Sequence, residues 1–336
     1  MIRIKCRTVL IVRMYTATHN CECGPKTDGR GRIAISLCSS KTNSIVKSVR
    51  REKRKISLDV RNNQFVTVFV DGSTEKLLVG QVPEPAADWP MCKRVTINGQ
   101  TTRIAFSKEQ CVTVWADVEM GTMEMIKYLD ALLGAKVKVM EITDDSGGRI
   151  MKWLQRRQGQ LSKVVVFNQK DTIFEVEALQ NIIRDCEAKH ICLDVDTRER
   201  PFQIQNSNGK CKLFQCRDDT VVSVESLMQI EAPEIYINAR RFTSAEINQF
   251  IKHWMNGGNA HLKALCIRHS ISDEHDMISG ISVRWTPGNK DFESVTTQWS
   301  VTLNGGFEVQ RNDGTIAFFN NSQNFFCFAL EKVLHY

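Results

Sequence analysis

The residues of this chain best equipped for chemistry are cysteines, histidines and paired carboxylates, and each grouping has a bland reading beside it. Cys266 and His269 stand three apart, as a thiol and a base do when the base activates a nucleophile. Cys266, however, falls in the apolar run LKALCI, where burial raises a thiol pKa instead of lowering it. The pair therefore reads as core. Asp144-Asp145 and Asp218-Asp219 are adjacent carboxylates whose side chains diverge, so solvated loops are expected rather than a shared metal. Cys21-x-Cys23 and Cys211-x4-Cys216 lack zinc spacing, and no C-x2-C pair exists to complete a site. The glycine-rich spans at Ser146-Gly147-Gly148, Asn256-Gly257-Gly258 and Asn304-Gly305-Gly306 lack the spacing that presents consecutive N–H groups to a phosphate. They read as turns or helix boundaries. No catalytic, metal-binding or cofactor-binding constellation is assigned, and a non-catalytic binding protein is expected.

Composition agrees with that expectation. The chain has 336 residues, 42% hydrophobic and 25% charged, as in a soluble globular protein of one large domain or two ordinary ones. No apolar run reaches the roughly 18 residues of a membrane span. The net charge of +7 is uneven. Residues 1–55 carry 14 Lys/Arg against 3 Asp/Glu, and the rest carries 31 against 35. The larger part is thus no basic platform for nucleic acid. Arg50, Arg51, Lys53, Arg54 and Lys55 read as a solvated helix end, where cations suit the negative pole of the helix dipole. The 12 cysteines are scattered, several inside apolar runs, which points to a reducing intracellular setting, cytoplasmic or nuclear.

The elements that would position a site are most legible in FTSAEINQFIKHWMNGGNAHLKALCI, residues 242–267. Thr243 and Glu246 have capping-box spacing, and Phe242 and Ile247 flank them as a hydrophobic staple. Ile247, Phe250, Ile251 and Trp254 recur at i, i+3, i+4 and i+7, one helical face. Gly257-Gly258 ends the helix and Leu262–Ile267 follows as a strand. Weaker copies of this unit precede it. A helix over 118–133 with Met125, Tyr128, Leu129 and Leu132 on one face is followed by a strand from Val137 to Ile142. Ile150, Trp153 and Leu154 mark the next helix and Lys163–Phe167 the next strand. Thr172 and Glu175 repeat the capping-box spacing before Val176, Leu179, Ile183 and Cys186. Strands are expected at Ile191–Val195, Lys212–Cys216 and Glu234–Ile237 as well. Successive strand starts lie 21 to 28 residues apart, within or near the leucine-rich-repeat range, although the leucine-rich consensus is absent. Stacked strand–helix units of this length give a parallel sheet with helices on the other side.

Both ends of this array switch to period two. Upstream, Ile56–Val60, Phe65–Phe69, Lys76–Val82, Arg94–Ile97, Arg103–Phe106 and Cys111–Trp115 read as strands, with a turn signal at Asp71-Gly72. Downstream, strands are expected at Ile281–Trp285, Thr296–Leu303, Phe307–Arg311 and Thr315–Phe319. The last three are joined by turns at Asn304-Gly305-Gly306 and Asn312-Asp313-Gly314, and a short helix over about 322–334 closes the chain. Residues 1–32 are irregular, and Ile33–Arg54 reads as helix.

Two regions carry a family resemblance. ISLCSSKTNSIVKSVRREKRKISLDV, residues 35–60, is similar to the C-terminal half of an F-box and the junction after it: Leu37, Ser40, Lys41, Thr42, Ile45, Val46 and Lys47 stand in the family's places. LKALCI and the closing GFEVQRNDGTIAFFNNSQNFFCFAL resemble the F-box-associated domain, type 2. The Leu-Pro-rich opening and first helix of an F-box are not found in residues 1–32, where the only proline is Pro25. Spacing and periodicity give an α/β chain of leucine-rich-repeat-like stacked units with antiparallel β segments at both ends. The resemblance divides it into an irregular segment 1–32, a partial helical F-box 33–55 and an F-box-associated domain 56–333. The resemblance implies a substrate-recognition adaptor of a Skp–cullin–F-box ubiquitin ligase, with Leu37, Ile45 and Val46 facing the Skp-family adaptor. The alternative is an orphan interaction module whose F-box has decayed. The unknown protein substrate is expected on the sheet surface or at the strand ends, at Asp194, Asp196, Gln215, Tyr236, Asn238, Lys263 and Arg268.

Overall fold

The computed structural model describes residues 56–334 apart from 62–64, 71–72, 81–91, 107–110, 169–172, 198–202, 206–208, 218–221, 270–273, 295–299 and 323–324. The segments 1–32 and 33–55, with Leu37, Ile45 and Val46, lie outside the described residues. The chain divides into two compact units, Met1–Lys138 and Val139–Tyr336.

In the first unit, β1 (Ile56–Arg61), β2 (Phe65–Val70) and β3 (Ser73–Gly80) form an antiparallel meander. Val70 pairs with Ser73, two residues further along the chain than its neighbour Asp71. β4 (Cys92–Ile97), β5 (Gln100–Phe106) and β6 (Cys111–Val114) add a second meander, and β6 joins β3 in parallel. Helix α1 (Val118–Leu133) packs on β2, β3 and β4. Its N-cap Asp117 accepts from the Met120 N–H at 3.1 Å, and Met125, Tyr128, Leu129 and Leu132 are buried as their spacing requires. Gly121 lies so close to Trp115 that a Cβ there would stand 2.3 Å from the indole.

The second unit is built on parallel strands in sequence order: β7 (Lys136–Ile142) from Val139 onward, β8 (Leu161–Phe167), β9 (Ala188–Asp194), β10 (Leu213–Cys216), β11 (Glu234–Phe242) and β12 (Ala264–His269). Between them run α2 (Asp145–Gln158), α3 (Val176–Asp185), α4 (Val224–Gln229) and α5 (Ser244–Met255). Strands added in one direction through right-handed crossovers put every connection on the same face. That face is the one bearing Val164, Ile191, Phe214, Ile235, Leu265 and Phe328, since Phe250 and Trp254 of α5 meet the Phe328 ring edge-on, at 6.1 and 4.9 Å between centroids. Polar side chains link neighbouring strand–helix repeats. Gln155 exchanges hydrogen bonds with the Asp185 carbonyl and the Glu187 N–H. The Asn259 amide donates to the Ile230 carbonyl at 2.9 Å, and that of Asn248 to Met277 and Ser279 beside α6 (Glu274–Ile278).

The capping box of α5 is present in full. Thr243 Oγ1 accepts from the Glu246 N–H, and the Glu246 carboxylate accepts from the Thr243 N–H at 2.7 Å. Such a cap contributes about 1 kcal/mol. The supposed box at Thr172 and Glu175 is not one: α3 starts three residues later than that spacing implies, with Glu175 itself at the N-cap and making no side-chain cap bond. Asp144 caps α2 by accepting from Gly147 N–H, so Ser146-Gly147-Gly148 is the helix's first turn. Helices α4 and α6 were not expected, being too short to show a periodic apolar face.

The C-terminal strands depart most from expectation. β13 begins at Arg284 and runs to Glu293, later and longer than Ile281–Trp285. Asn304-Gly305-Gly306 makes no hairpin; β14 (Ser300–Gln310) passes straight through it. Gly305 takes φ +71 beside the Trp285 indole, and a Cβ at Gly306 would stand 2.6 Å from the Phe319 carbonyl oxygen. The glycines serve close backbone approach, opposite an irregularity between Thr286 and Asn289 that bends the ladder. Among the described residues no α-helix closes the chain either. FFCFAL forms β16 (Phe325–Leu330), between β15 (Ile316–Ser322) and β12, followed by a 3-10 turn at Glu331–Val333. Its Phe-rich run is buried on both faces, which suits a central strand.

The Asn312-Asp313-Gly314 turn between β14 and β15 does form, and it docks on the end of α5. Arg311 lies over the Trp254 ring at 5.2 Å, and the Asn312 N–H donates to the Met255 carbonyl at 3.1 Å. Asp313 accepts from Arg311 at 2.6 Å and from the Thr315 N–H, which together hold its carboxyl well below the usual range.

Candidate functional site

The sheet face away from the helices presents its side chains in rows, one residue per strand, because facing residues of paired strands share a side. One row reads Glu141, Val165, Cys192, Gln215, Tyr236, Cys266 and Cys327. Two residues towards the strand starts, the next reads Lys163, His190, Leu213, Glu234, Ala264 and Ala329. Two residues the other way lie Phe167 and Asp194, Arg217 and Asn238 just past the paired stretch, and Arg268 beside Phe325.

Part of this face is covered. Beyond the bend in β13 and β14, Phe292 and Leu303 pack on Ala264, Cys266, Phe318, Cys327 and Ala329. The Lys290 ammonium, on a side chain buried in this cover, sits 3.8 Å from the centre of the Phe318 ring. Ser294 donates to the Glu234 carboxylate. Among the described residues the cover stops at β11. Over β8, β9 and β10, Lys163, Asp194, Gln215 and Arg217 retain exposed surface.

The polar groups of this face pair across neighbouring strands. Arg217 donates to Asp194 at 3.2 Å, and His190 Nε2 meets Gln215 Oε1 at 3.0 Å. Arg268 reaches the Asn238 oxygen at a long 3.5 Å, and the Tyr236 and Phe325 rings stack with centroids 6.4 Å apart. Burial pushes the Cys192 thiol up, with Arg217 and Lys163 pulling it part of the way back. Cys216 belongs to the helix-side face and is pushed far up by burial. The Cys266 thiol is raised by the neighbouring Cys327 thiol and by burial, the reverse of what a nucleophile needs. Among the described residues no group of three or more His, Cys, Asp or Glu is placed to hold a metal ion.

Of the seven sequence-predicted residues, the structure gathers five on this face: Asp194, Gln215, Tyr236, Asn238 and Arg268. Asp196 follows β9 in a loop, its backbone N–H donating to the Asn168 side chain at 2.6 Å. Lys263 precedes β12 at the other end of the sheet, its N–H donating to the Pro233 carbonyl. The sequence reading missed Lys163, His190, Cys192 and Arg217. Alternation could have found His190 and Cys192, which stand four and two residues before Asp194 on one strand. Lys163 and Arg217 join only through inter-strand register.

His190 makes a pH prediction. Burial, helped by the Lys163 charge, lowers its pKa to about 4 from 6.5. Between those values the unfolded chain binds the proton and the folded chain does not, so stability is full above pH 6.5 and falls as pH drops towards 4. With allowance for water at the open face, about 1–2 kcal/mol should be lost over that interval. Urea titrations of the wild type and His190→Gln at pH 7 and pH 4.5 check this. An equal loss in both proteins would exclude His190 as the cause.

Residues 200–267 match the family described as F-box associated, which supports an F-box-associated domain in this chain. No curated protein and no solved structure matches it. The matched stretch takes in β10, α4, β11, α5 and most of β12, and with them Gln215, Arg217, Tyr236 and Asn238 of the open face.

Proposed function

We propose that this chain is the substrate-recognition subunit of a Skp–cullin–F-box ubiquitin ligase, and that the open face over β8–β11 holds its protein target. The observation that carries the reading is the overlap between the F-box-associated match and the strands that supply the open face. The family is one of substrate-binding modules. The parallel strand–helix array is read as a leucine-rich-repeat-like stack, whose exposed sheet surface is the usual binding surface. Such a subunit needs no catalytic residue: holding the target near a charged conjugating enzyme raises the effective concentration of the acceptor lysine.

The test is a pull-down of purified Skp adaptor and cullin by three proteins: the full chain, a chain lacking residues 1–60, and the Leu37→Asp, Val46→Asp double variant. Capture by the full chain alone is expected, because a carboxylate at either position would be desolvated in an apolar adaptor contact. Capture by none of them would end the ligase reading and leave an orphan interaction module. Equal capture by all three would remove Leu37 and Val46 from the adaptor surface.

A further inference from the structure

We propose that Cys266 and Cys327 form a redox modification site, which hydrogen peroxide closes into a cross-strand disulfide stapling β12 to β16. The two residues are direct partners in the antiparallel ladder, and their sulfurs lie 3.3 Å apart as thiols. The register identifies the kind of pair. The Leu330 N–H donates to the Lys263 carbonyl straight across the ladder, so that pair is hydrogen-bonded. Hydrogen-bonded and non-hydrogen-bonded pairs alternate, which makes Ala264/Ala329 the next non-hydrogen-bonded pair and Cys266/Cys327 the one after it in that class. At such pairs the Cα atoms approach to about 4.5 Å, inside the range a disulfide spans, so closure requires no strand movement.

The chemistry balances with peroxide as the two-electron oxidant. One thiolate attacks a peroxide oxygen, the O–O bond breaks, and a sulfenic acid forms while the released hydroxide takes up the thiol proton as water. The second sulfur attacks the sulfenic sulfur, the S–S bond forms as the S–O bond breaks, and the leaving hydroxide takes the second thiol proton. Two thiols and one peroxide give one disulfide and two waters. A resolving thiol already in contact diverts the sulfenic acid from irreversible oxidation. Phe292 and Leu303 cover the pair, and both thiols are buried, so closure is slow and depends on opening of this cover.

The consequence follows from what the bond encloses. Cys266 and Cys327 are 61 residues apart, and the chain between them contains α6, β13, β14 and β15, including the cover over the sheet face. Joining its ends restricts the unfolded chain, and a loop of this length restricts it strongly.

The experiment treats the reduced full chain with hydrogen peroxide, removes the peroxide with catalase, alkylates remaining thiols in denaturant and maps the unreduced peptides by mass spectrometry. A Cys266–Cys327 linked peptide is expected, with a thermal midpoint raised by about 5–10 °C that dithiothreitol restores. Cys327→Ala and Cys327→Val should each abolish the linked peptide and the rise, two variants so that a packing defect in one does not decide the matter. Cys192→Ala should keep both. Recovery of Cys266 and Cys327 as alkylated free thiols after peroxide would overturn the proposal, as would a rise in midpoint that persists in both Cys327 variants.

Discussion

Trp254→Ala lowers the unfolding free energy of the unit Val139–Tyr336 by about 3–5 kcal/mol. The indole is fully buried and touches three elements at once. Its own helix α5 supplies it, Phe328 of β16 meets it at 4.9 Å, and Arg311 lies over it from the turn between β14 and β15. Its Nε1 finds no hydrogen-bond partner among the described residues, so the loss is one of packing and cavity rather than of a hydrogen bond. Removing the ring also strips the stacking surface from a guanidinium with only 11% of its side chain exposed. Trp254→Phe keeps most of the volume and the aromatic edge, and should lose less than half as much. Urea denaturation followed by circular dichroism decides it. A loss below about 1 kcal/mol for Trp254→Ala would mean that the site collapses around the missing ring and that the turn is not anchored there.

Arg217→Glu combined with Arg268→Glu reduces capture of the protein target by about thirtyfold or more. Both guanidinium groups are exposed, Arg217 on the open face and Arg268 beside it at the end of β12, on either side of Asn238, and Arg217 meets Asp194 at 3.2 Å. Arginine at the centre of a binding surface commonly contributes about 2 kcal/mol or more, and each 1.4 kcal/mol is tenfold in affinity. Their surface pairs contribute little to folding, so the variant should unfold within about 1 kcal/mol of the wild type. The measurement is quantitative mass spectrometry of proteins retained by the wild type and the variant. The control is Arg156→Glu with Lys252→Glu, an equal change of charge at exposed positions on α2 and α5. Proteins lost from the open-face variant but kept by the control are the targets. If both variants retain the same set, the open face is not the recognition surface.

Much of the fold was legible because its strongest signals are local. The α5 capping box, the four apolar positions through Trp254 and the glycine stop lie within sixteen residues, and each is satisfied by neighbours in the chain. The same holds for α1 and for the six parallel strands, whose apolar runs had only one face or both faces to bury. Expectation failed where a distant element decided the outcome. Asn304-Gly305-Gly306 has turn composition, yet the approach of Trp285 and of the Phe319 backbone uses its missing side chains within a strand. The segment after Ser322 lacks a strand's simple alternation because β16 is flanked by β12 and β15 and buried on both sides.

The sequence by itself determined that this chain alternates strand and helix in its second half and that its apolar faces are core, and it put Asp194, Asp196, Gln215, Tyr236, Asn238, Lys263 and Arg268 in or just after short strands without fixing which face they share. Periodicity carries that information, since side-chain direction repeats every two residues in a strand and every 3.6 in a helix. Only the tertiary structure decided that Asp194, Gln215, Tyr236, Asn238 and Arg268 share one face with Lys163, His190 and Arg217, that the bent β13–β14 pair covers part of that face, and that Cys266 stands against Cys327. Each of these is a matter of inter-strand register, which is fixed by backbone hydrogen bonds between segments far apart in the chain and leaves no mark on the residues of either strand alone.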